Sequence, residues 1–276
     1  EEGHDIKGLD IIGEESFDLR DEYQYVSLVK HMKWCDVVLF LAFDVGGSHY
    51  LKEYEHKPEY LFNNNAIMNN VFRALAIENV PFINGSSQMS NMTHSPYGML
   101  KRVSEFYTKS LGGLNVRFWN VYGLETDPEK FHVITDFINM ARNDGAIHMK
   151  SSGHELRYFM HALDCSKTLL SLCERYDEAL AVLDDLHDVA DRGPQEAMDI
   201  SSSYPVSIRY IAEIISKIYD VPVYANILEE VNGDTQLGIK NAPVMFFSRG
   251  FHLSTIEVEE GIKMIDEGMK DLMVNE

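Results

Sequence analysis

A tyrosine and a lysine four residues apart, Tyr97 and Lys101, follow two serines, Ser86 and Ser87, at the end of an apolar segment, residues 80–85. Residues four apart lie on one face of a helix, so the ammonium is expected beside the phenol, where it favours the ionised form. A phenolate hydrogen-bonded to a serine hydroxyl can take the proton of a substrate alcohol. The carbon-bound hydrogen does not ionise that way and must leave as hydride, which calls for a nicotinamide cofactor. The spacing alone is weak: among 14 tyrosines, about one should precede a lysine at this interval by chance, and one does. Its setting gives it weight: a strand-like run, a serine pair, a loop with Pro96, then a helix opening at Tyr97.

The elements that must hold these groups can be read along the chain. Residues 5–12 read as a short strand ending near Asp10, and residues 21–34 as a helix with Tyr25, Leu28, Val29 and Met32 on one face. The run at 36–42 is continuously apolar, as in a strand covered on both faces. A helix over 63–77 carries Ile67, Met68, Val71, Phe72 and Leu75. Residues 80–85 form the next strand, 95–111 the next helix, packed through Leu100, Val103 and Tyr107, and 115–121 another strand. Strand and helix alternate with short connections, which implies a parallel sheet with helices on both faces. Asp10, Phe43-Asp44, Ser86-Ser87 and Asn120 all fall at carboxyl ends of strands, where ligands bind in such sheets. Beyond Gly123 the pattern loosens into helices over 131–143, 162–176, 208–219 and 256–272, a short strand at 146–149, a loop at 153–157, and a return to the sheet at 197–201.

At 276 residues the chain can bury a large core. Its 45% hydrophobic and 25% charged content are ordinary for a globular protein, and no apolar run is long enough to span a bilayer. Net charge is −20 with no basic cluster, so nucleic acid is a poor partner. Cys35, Cys165 and Cys173 show no metal spacing and fit a reducing cytoplasm; no metal site is expected. The densest acidic stretch, 177–191, reads as a solvated loop or helix face.

With these residues placed, the chain resembles the extended short-chain dehydrogenase/reductase superfamily, within it the nucleotide-sugar epimerases and dehydratases. The resemblance spans about 5–164. Besides Tyr97 and Lys101 it rests on Phe17-Asp18-Leu19-Arg20-Asp21, Leu41-Ala42, Asn64-Asn65, Arg117-Phe118-Trp119-Asn120-Val121-Tyr122-Gly123, and Arg157 followed by Asp164. It implies a Rossmann-like doubly wound parallel sheet with a smaller α+β substrate domain. The NAD-binding part would be 1–123 completed by about 161–201, and the nucleotide-sugar part 124–160 and 202–276. It further implies that Tyr97 is the acid/base, Lys101 its electrostatic partner and a donor to the nicotinamide ribose, and Ser87 the hydroxyl that orients the sugar, with Ser86 the alternative. Asp10 looks like the carboxylate on the adenine ribose, which favours NAD over NADP by repelling a 2′-phosphate. Asp18 and Leu19 resemble the lining of the adenine pocket, and Ala42 and Asn65 further cofactor contacts. Asn120 and Arg157 resemble the residues that hold the sugar nucleotide, Arg157 on its diphosphate. A homodimer through helices 63–77 and 95–111 is expected, with Met68, Phe72, Met99 and Phe106 at the contact.

Two departures shape the expected activity. Where 4,6-dehydratases carry an Asp and a Glu after the catalytic hydroxyl, this chain has Gln88 and Met89. Epimerisation needs only Ser, Tyr and Lys, so an NAD-dependent nucleotide-sugar epimerase acting at C4 is the first expectation. Its alternatives are a nucleotide 4-keto-sugar reductase and a non-catalytic NAD- or sugar-nucleotide-binding relative. The segment Asp44-Val45-Gly46-Gly47-Ser48 is similar to a loop of GDP-mannose 3,5-epimerases and GDP-fucose synthases, whose glycines let backbone approach the sugar. The second departure is the missing G-x-x-G-x-x-G turn for the cofactor pyrophosphate. Asp10 should follow such a turn by about 20 residues, so the turn is expected before residue 1, and residues 1–276 alone are expected to fold poorly and bind no NAD.

Overall fold

The computed structural model describes residues 3–12, 16–186, 196–226, 243, 250–251 and 254–274. Four strands, β1 (Val38–Phe40), β2 (Phe82–Ser87), β3 (Leu114–Phe118) and β8 (Met198–Ile200), are hydrogen-bonded in the order β1-β2-β3-β8. β1 and β2 run parallel, Val38 opposite Phe82 and Phe40 opposite Asn84. The chain divides into two compact units, Glu1–Asp44 with Glu53–Val116, and Val45–Lys52 with Arg117–Glu276.

In the first unit, α1 (Tyr25–Trp34) turns Leu28 and Met32 inward. Helix α3 (Pro58–Glu78) starts five residues earlier than its apolar stripe suggests, because Pro58 sits in its first turn, where a missing N–H costs nothing. It ends at Asn79 in the left-handed conformation, φ 49°. Phe72 links α3 to the sheet, its ring 5.4 Å from Phe40 and 6.2 Å from Phe82, both edge-on. β2 is buried at all six positions, as its unbroken apolar start requires.

Four expectations are corrected here. Residues 5–12 form no strand, and Ile6, Ile11 and Ile12 are 81%, 57% and 82% exposed; no ladder partner lies beside them among the described residues. The run at 36–42 yields three strand residues, with Leu39 and Leu41 partly in solvent rather than covered on both faces. α4 (Pro96–Ser110) packs through Leu100 as expected, but Val103 is exposed, and Tyr107, half in solvent, packs only by stacking its ring on Phe72 at 5.1 Å. Its inward face is Tyr97, Lys101, Ser104, Glu105 and Thr108, a largely polar stripe that a search for apolar periodicity passes over. Met68 and Phe72 are buried within the unit and are not available to a dimer contact; Met99 and Phe106 on α4 face outward.

The segment 115–121 breaks at Trp119 into β3 and β4 (Asn120–Tyr122), and in the second unit β4 pairs in parallel with β7 (Phe159–His161). The core is built from α5 (Val133–Asn143), α8 (Ile208–Tyr219) and α9 (Val258–Val274) through Ile134, Ile138, Ile211, Ile215, Ile262 and Ile265. Each such side chain contributes roughly 1.5–3 kcal/mol on burial. β5 (Ile147–Met149) pairs in parallel with β10 (Val223–Ala225). The loop expected at 153–157 contains a two-residue strand, β6 (Leu156–Arg157), antiparallel to β9 (Val206–Ser207). α6 (Ala162–Glu174) carries the fully buried Asp164, whose carboxylate accepts from the backbone of Thr255 and Ile256, both at 2.8 Å, and so fixes the approach to α9. The acidic stretch begins as α7 (Tyr176–Leu186); its remainder and the side chain of Leu272 lie outside the described residues.

Candidate active site

β2 runs on to Ser87, so both serines belong to the strand rather than to the loop after it. Ser87 Oγ accepts from the Met89 N–H at 3.2 Å and opens a 3-10 turn over Gln88–Asn91. Ser95 then caps α4, its Oγ accepting from the Gly98 N–H at 3.1 Å, with Pro96 in the first turn. Glu55 secures the same end: one carboxylate oxygen accepts from Ser95 Oγ at 2.7 Å and from the Tyr97 N–H at 3.1 Å. Gly98 allows the approach, since a Cβ there would lie 2.3 Å from the Met89 carbonyl oxygen.

These contacts bring the Tyr97 hydroxyl into a hydrogen bond with Ser87. Tyr97 is buried, and burial pushes its phenol up to about 12, with the Ser87 bond pulling the other way. Lys101 is also buried, and its Nζ donates to the Gly85 carbonyl at 2.7 Å rather than sitting beside the phenol. Nζ lies 3.8 Å from the centroid of the Phe43 ring and 5.9 Å from that of Tyr97. Burial brings the ammonium down to about 7, opposed by the Glu105 carboxylate. In this arrangement the ammonium is bonded to Gly85 and is not among the influences on the phenol. Low-dielectric surroundings hold Tyr97 in its neutral form and bring Lys101 close to its own.

The two serines diverge in role. Ser86 Oγ donates to Glu105 Oε1 at 2.6 Å, which commits its proton, while Ser87 faces Tyr97. Phe43 stands edge-on to Tyr97 at 5.8 Å. At the other expected cofactor positions, Asp10 is exposed and accepts from its own neighbour, the Ile12 N–H at 3.1 Å. Asp18 is held by Arg20 through Nε at 2.8 Å and Nη2 at 2.7 Å, which keep its carboxyl below the usual range. The Leu19 carbonyl accepts from Asn70 Nδ2 at 2.9 Å. Ala42 is half-buried, and Asn65 points to solvent. Its neighbour Asn64 is the inward residue, its Oδ1 accepting from the Asp44 N–H at 2.8 Å and its Nδ2 donating to the Asp44 carbonyl at 3.2 Å.

In the second unit, Asn120 Nδ2 donates to the Tyr158 carbonyl at 3.3 Å, beside Arg157 in sequence. Arg157 is half-buried, Nη1 donates to the Leu156 carbonyl at 2.8 Å, and burial lowers its pKa. The glycines of the 44–48 segment meet protein: a Cβ on Gly47 would lie 2.2 Å from the Phe131 carbonyl oxygen. Tight packing onto Phe131 accounts for that glycine without a ligand. Among the described residues, no group of three or more His, Cys, Asp or Glu is placed to hold a metal ion, and no helix is long and apolar enough to cross a membrane.

Comparison with known proteins decides the family. The model of the NAD dependent epimerase/dehydratase family matches residues 12–182, well over half of the chain. The chain belongs to that family. No curated protein matches the sequence. Among solved structures, the epimerase Mth375 of Methanothermobacter thermautotrophicus is similar, with 18% identity and TM-score 0.71 over 95% of this chain and 81% of that one. So is the UDP-glucose 4-epimerase of Thermotoga maritima with UDP-glucose, with 15% identity and TM-score 0.68 over 95% and 87%. A GDP-6-OMe-4-keto-L-xylo-heptose reductase from C. jejuni has 17% identity and TM-score 0.71 over 92% and 88%. The fold is Rossmann-like α/β, and NAD is the cofactor of the epimerase/dehydratase family.

The donor set at the nicotinamide end fits that cofactor. Lys101 offers a buried ammonium held by a backbone carbonyl and a ring face, able to turn a proton to a ribose hydroxyl. Ser87 and Tyr97 supply hydroxyls hydrogen-bonded to one another. The 276 residues contain no G-x-x-G-x-x-G turn, so no residue is assigned to the pyrophosphate.

Sequence reasoning missed Glu55 and Glu105, and it placed Phe43 at a strand end and Asn64 in the family pattern without giving either a role. Glu105 and Asn64 were open to helical phase: Glu105 lies four residues past Lys101, and Asn64 shares the inward phase of Tyr60 and Met68. Glu55 carries no sequence signal, because loop geometry alone brings it to the start of α4.

Proposed function

We propose that this chain interconverts nucleotide-diphosphate sugars that differ in configuration at C4, through a transient keto sugar, and leaves its cofactor unchanged after each turnover. The Ser87–Tyr97 hydrogen bond beside a buried Lys101, with no carboxylate at Gln88 or Met89, carries this reading. Bound NAD supplies hydride acceptance and return. Tyr97 takes the proton of the C4 hydroxyl as oxidation proceeds and gives it back on reduction, and Ser87 aligns the oxygen that changes between alcohol and ketone. A phenol at about 12 must fall by about five units to act as a base at neutral pH, a difference of about 7 kcal/mol. The cation one helical turn away, Lys101, is the resident group placed to supply part of it. With Gln88 and Met89 in place of an acid and a base, elimination has no proton carriers at those positions.

Asp10, Asp18, Leu19, Ala42 and Asn65 are proposed to face the rest of the cofactor, and Asn120 and Arg157 the sugar nucleotide; their match to the family's sequence pattern supports this. The working form is a homodimer in the cytoplasm. Outward apolar residues on α4 (Met99, Val103, Phe106) and on α3 (Phe62) support the dimer, and free thiols at Cys35, Cys165 and Cys173 the compartment. Tyr97→Phe tests the chemistry: turnover is expected to fall by about 10²–10⁴ while sugar-nucleotide affinity and melting temperature hold. Unchanged turnover in Tyr97→Phe would falsify the mechanism.

A further inference from the structure

The polar inward face of α4 meets the end of β2 residue by residue. Gly85 takes the Lys101 ammonium on its carbonyl at 2.7 Å, Ser86 donates to Glu105 Oε1 at 2.6 Å, and Ser87 bonds Tyr97. Three consecutive strand residues are thus each tied to one of three helix residues spaced by four. Of the three helix residues, Tyr97 and Lys101 carry the proposed chemistry, and nothing so far gives Glu105 a part in it.

Glu105 is 1% exposed. Its second oxygen accepts from Arg102 Nη1 at 2.9 Å, and its backbone carbonyl accepts from Asn115 Nδ2 at 3.0 Å. Asn115 is in turn bonded to Asn84 of β2, and Asn84 to Ser104 of α4, at 2.9 and 3.1 Å. A carboxylate in such a place is costly to bury, and its bonds to a hydroxyl and a guanidinium are the strong, short kind that offset the cost. An apolar residue at 105 would fill the space without that cost, so packing alone does not account for the acid. Besides pairing with Arg102, its carboxylate does what an apolar residue cannot: it fixes Ser86, and through one peptide unit the position of Ser87 against Tyr97.

We propose that Glu105 is a positioning residue for the reaction, tying Ser86 so that the next residue, Ser87, stays in register with Tyr97. The inference rests on the epimerase reading above. Its charge also opposes the loss of the Lys101 proton, but the tie to Ser86 is the function assigned.

The test compares Glu105→Ala, Glu105→Gln, Ser86→Ala and the Ser86→Ala/Glu105→Ala double variant, with wild type and Tyr97→Phe as references. Glutamine keeps an oxygen that can accept the Ser86 proton, so Glu105→Gln is expected within about threefold of wild-type kcat, since the geometry is retained. Glu105→Ala and Ser86→Ala are each expected to lose about 10- to 100-fold in kcat with KM for the sugar nucleotide nearly unchanged, the signature of lost alignment. The double variant should lose no more than either single one, because both remove the same tie. Should Glu105→Ala fail to fold, Ser86→Ala and Glu105→Gln still decide. Wild-type kcat in Ser86→Ala, a Glu105→Gln loss as large as that of Glu105→Ala, or additive losses would overturn the proposal. Loss of turnover in Tyr97→Phe with intact turnover in every Glu105 and Ser86 variant removes the positioning role and leaves the epimerase reading standing. An active Tyr97→Phe removes the reading itself, and the proposal with it.

Discussion

Lys101→Met is expected to make the protein more stable at neutral pH and inactive. Lys101 is 5% exposed, and burial lowers it from 10.5 to about 7, so the charged form is disfavoured by roughly 5 kcal/mol relative to water. At pH 7 nearly all of that cost is carried by the folded state. Methionine has similar length and removes it, but leaves the Gly85 carbonyl without its donor, a loss of about 1–3 kcal/mol. The net gain expected is about 2–4 kcal/mol by this difference. The pH dependence is the sharper readout. The folded pKa lies below the unfolded one, so the unfolded chain binds more protons between about pH 7 and 10.5, and this residue makes wild-type stability rise with pH there. The slope is up to about 1.4 kcal/mol per unit, and Lys101→Met lacks it. Urea unfolding of both proteins at about pH 7.5, 8.5 and 9.5, below the range where Tyr97 titrates, should show the gap between them closing at close to that rate. A constant gap, or a variant less stable than wild type throughout, would mean that Lys101 keeps an ordinary pKa and that the site is wetter than its burial implies.

Other outcomes follow from the same geometry. Gly98→Ala should cost several kcal/mol and reduce turnover, since its Cβ would press on the Met89 carbonyl and push Tyr97 away from Ser87; thermal melts and kcat measured together check it. Asp164→Ala should lower stability by about 3 kcal/mol or more, because the Thr255 and Ile256 N–H groups lose a fully buried acceptor; urea titration reads it directly. Asp10→Ala should narrow the preference for NAD over NADP, and tighter NADP binding by the wild type in a titration of both cofactors would sink the assignment.

Much of the fold was legible where burial and apolar pattern coincide. β2, α5, α8 and α9 fell within a few residues of their expected ranges because their inward faces are Ile, Phe and Met. α4 shows the opposite case. Its existence followed from Ser95, Pro96 and the stretch behind them, but its orientation did not, because Lys101, Ser104, Glu105 and Thr108 face inward while Val103 and Phe106 face out. Apolar periodicity reports a core only when the core is apolar. The Ser–Tyr–Lys spacing predicted which side chains come together, but not that Lys101 donates to the Gly85 carbonyl, since that depends on a carbonyl that sequence does not show. The same holds for Ser86 and Ser87: their order in the chain leaves them equivalent, and the Glu105 carboxylate distinguishes them.

The central claim is redox-neutral inversion of a nucleotide sugar by Ser87, Tyr97 and Lys101. Proton NMR of a panel of nucleotide hexoses, each incubated in heavy water with the protein and a catalytic amount of NAD, tests it most directly. One member of the panel should convert to its C4 epimer, with no deuterium at C4 and no net NADH, and Tyr97→Phe should leave it untouched. Stoichiometric NADH, loss of water from the sugar, or the same conversion by Tyr97→Phe would contradict it.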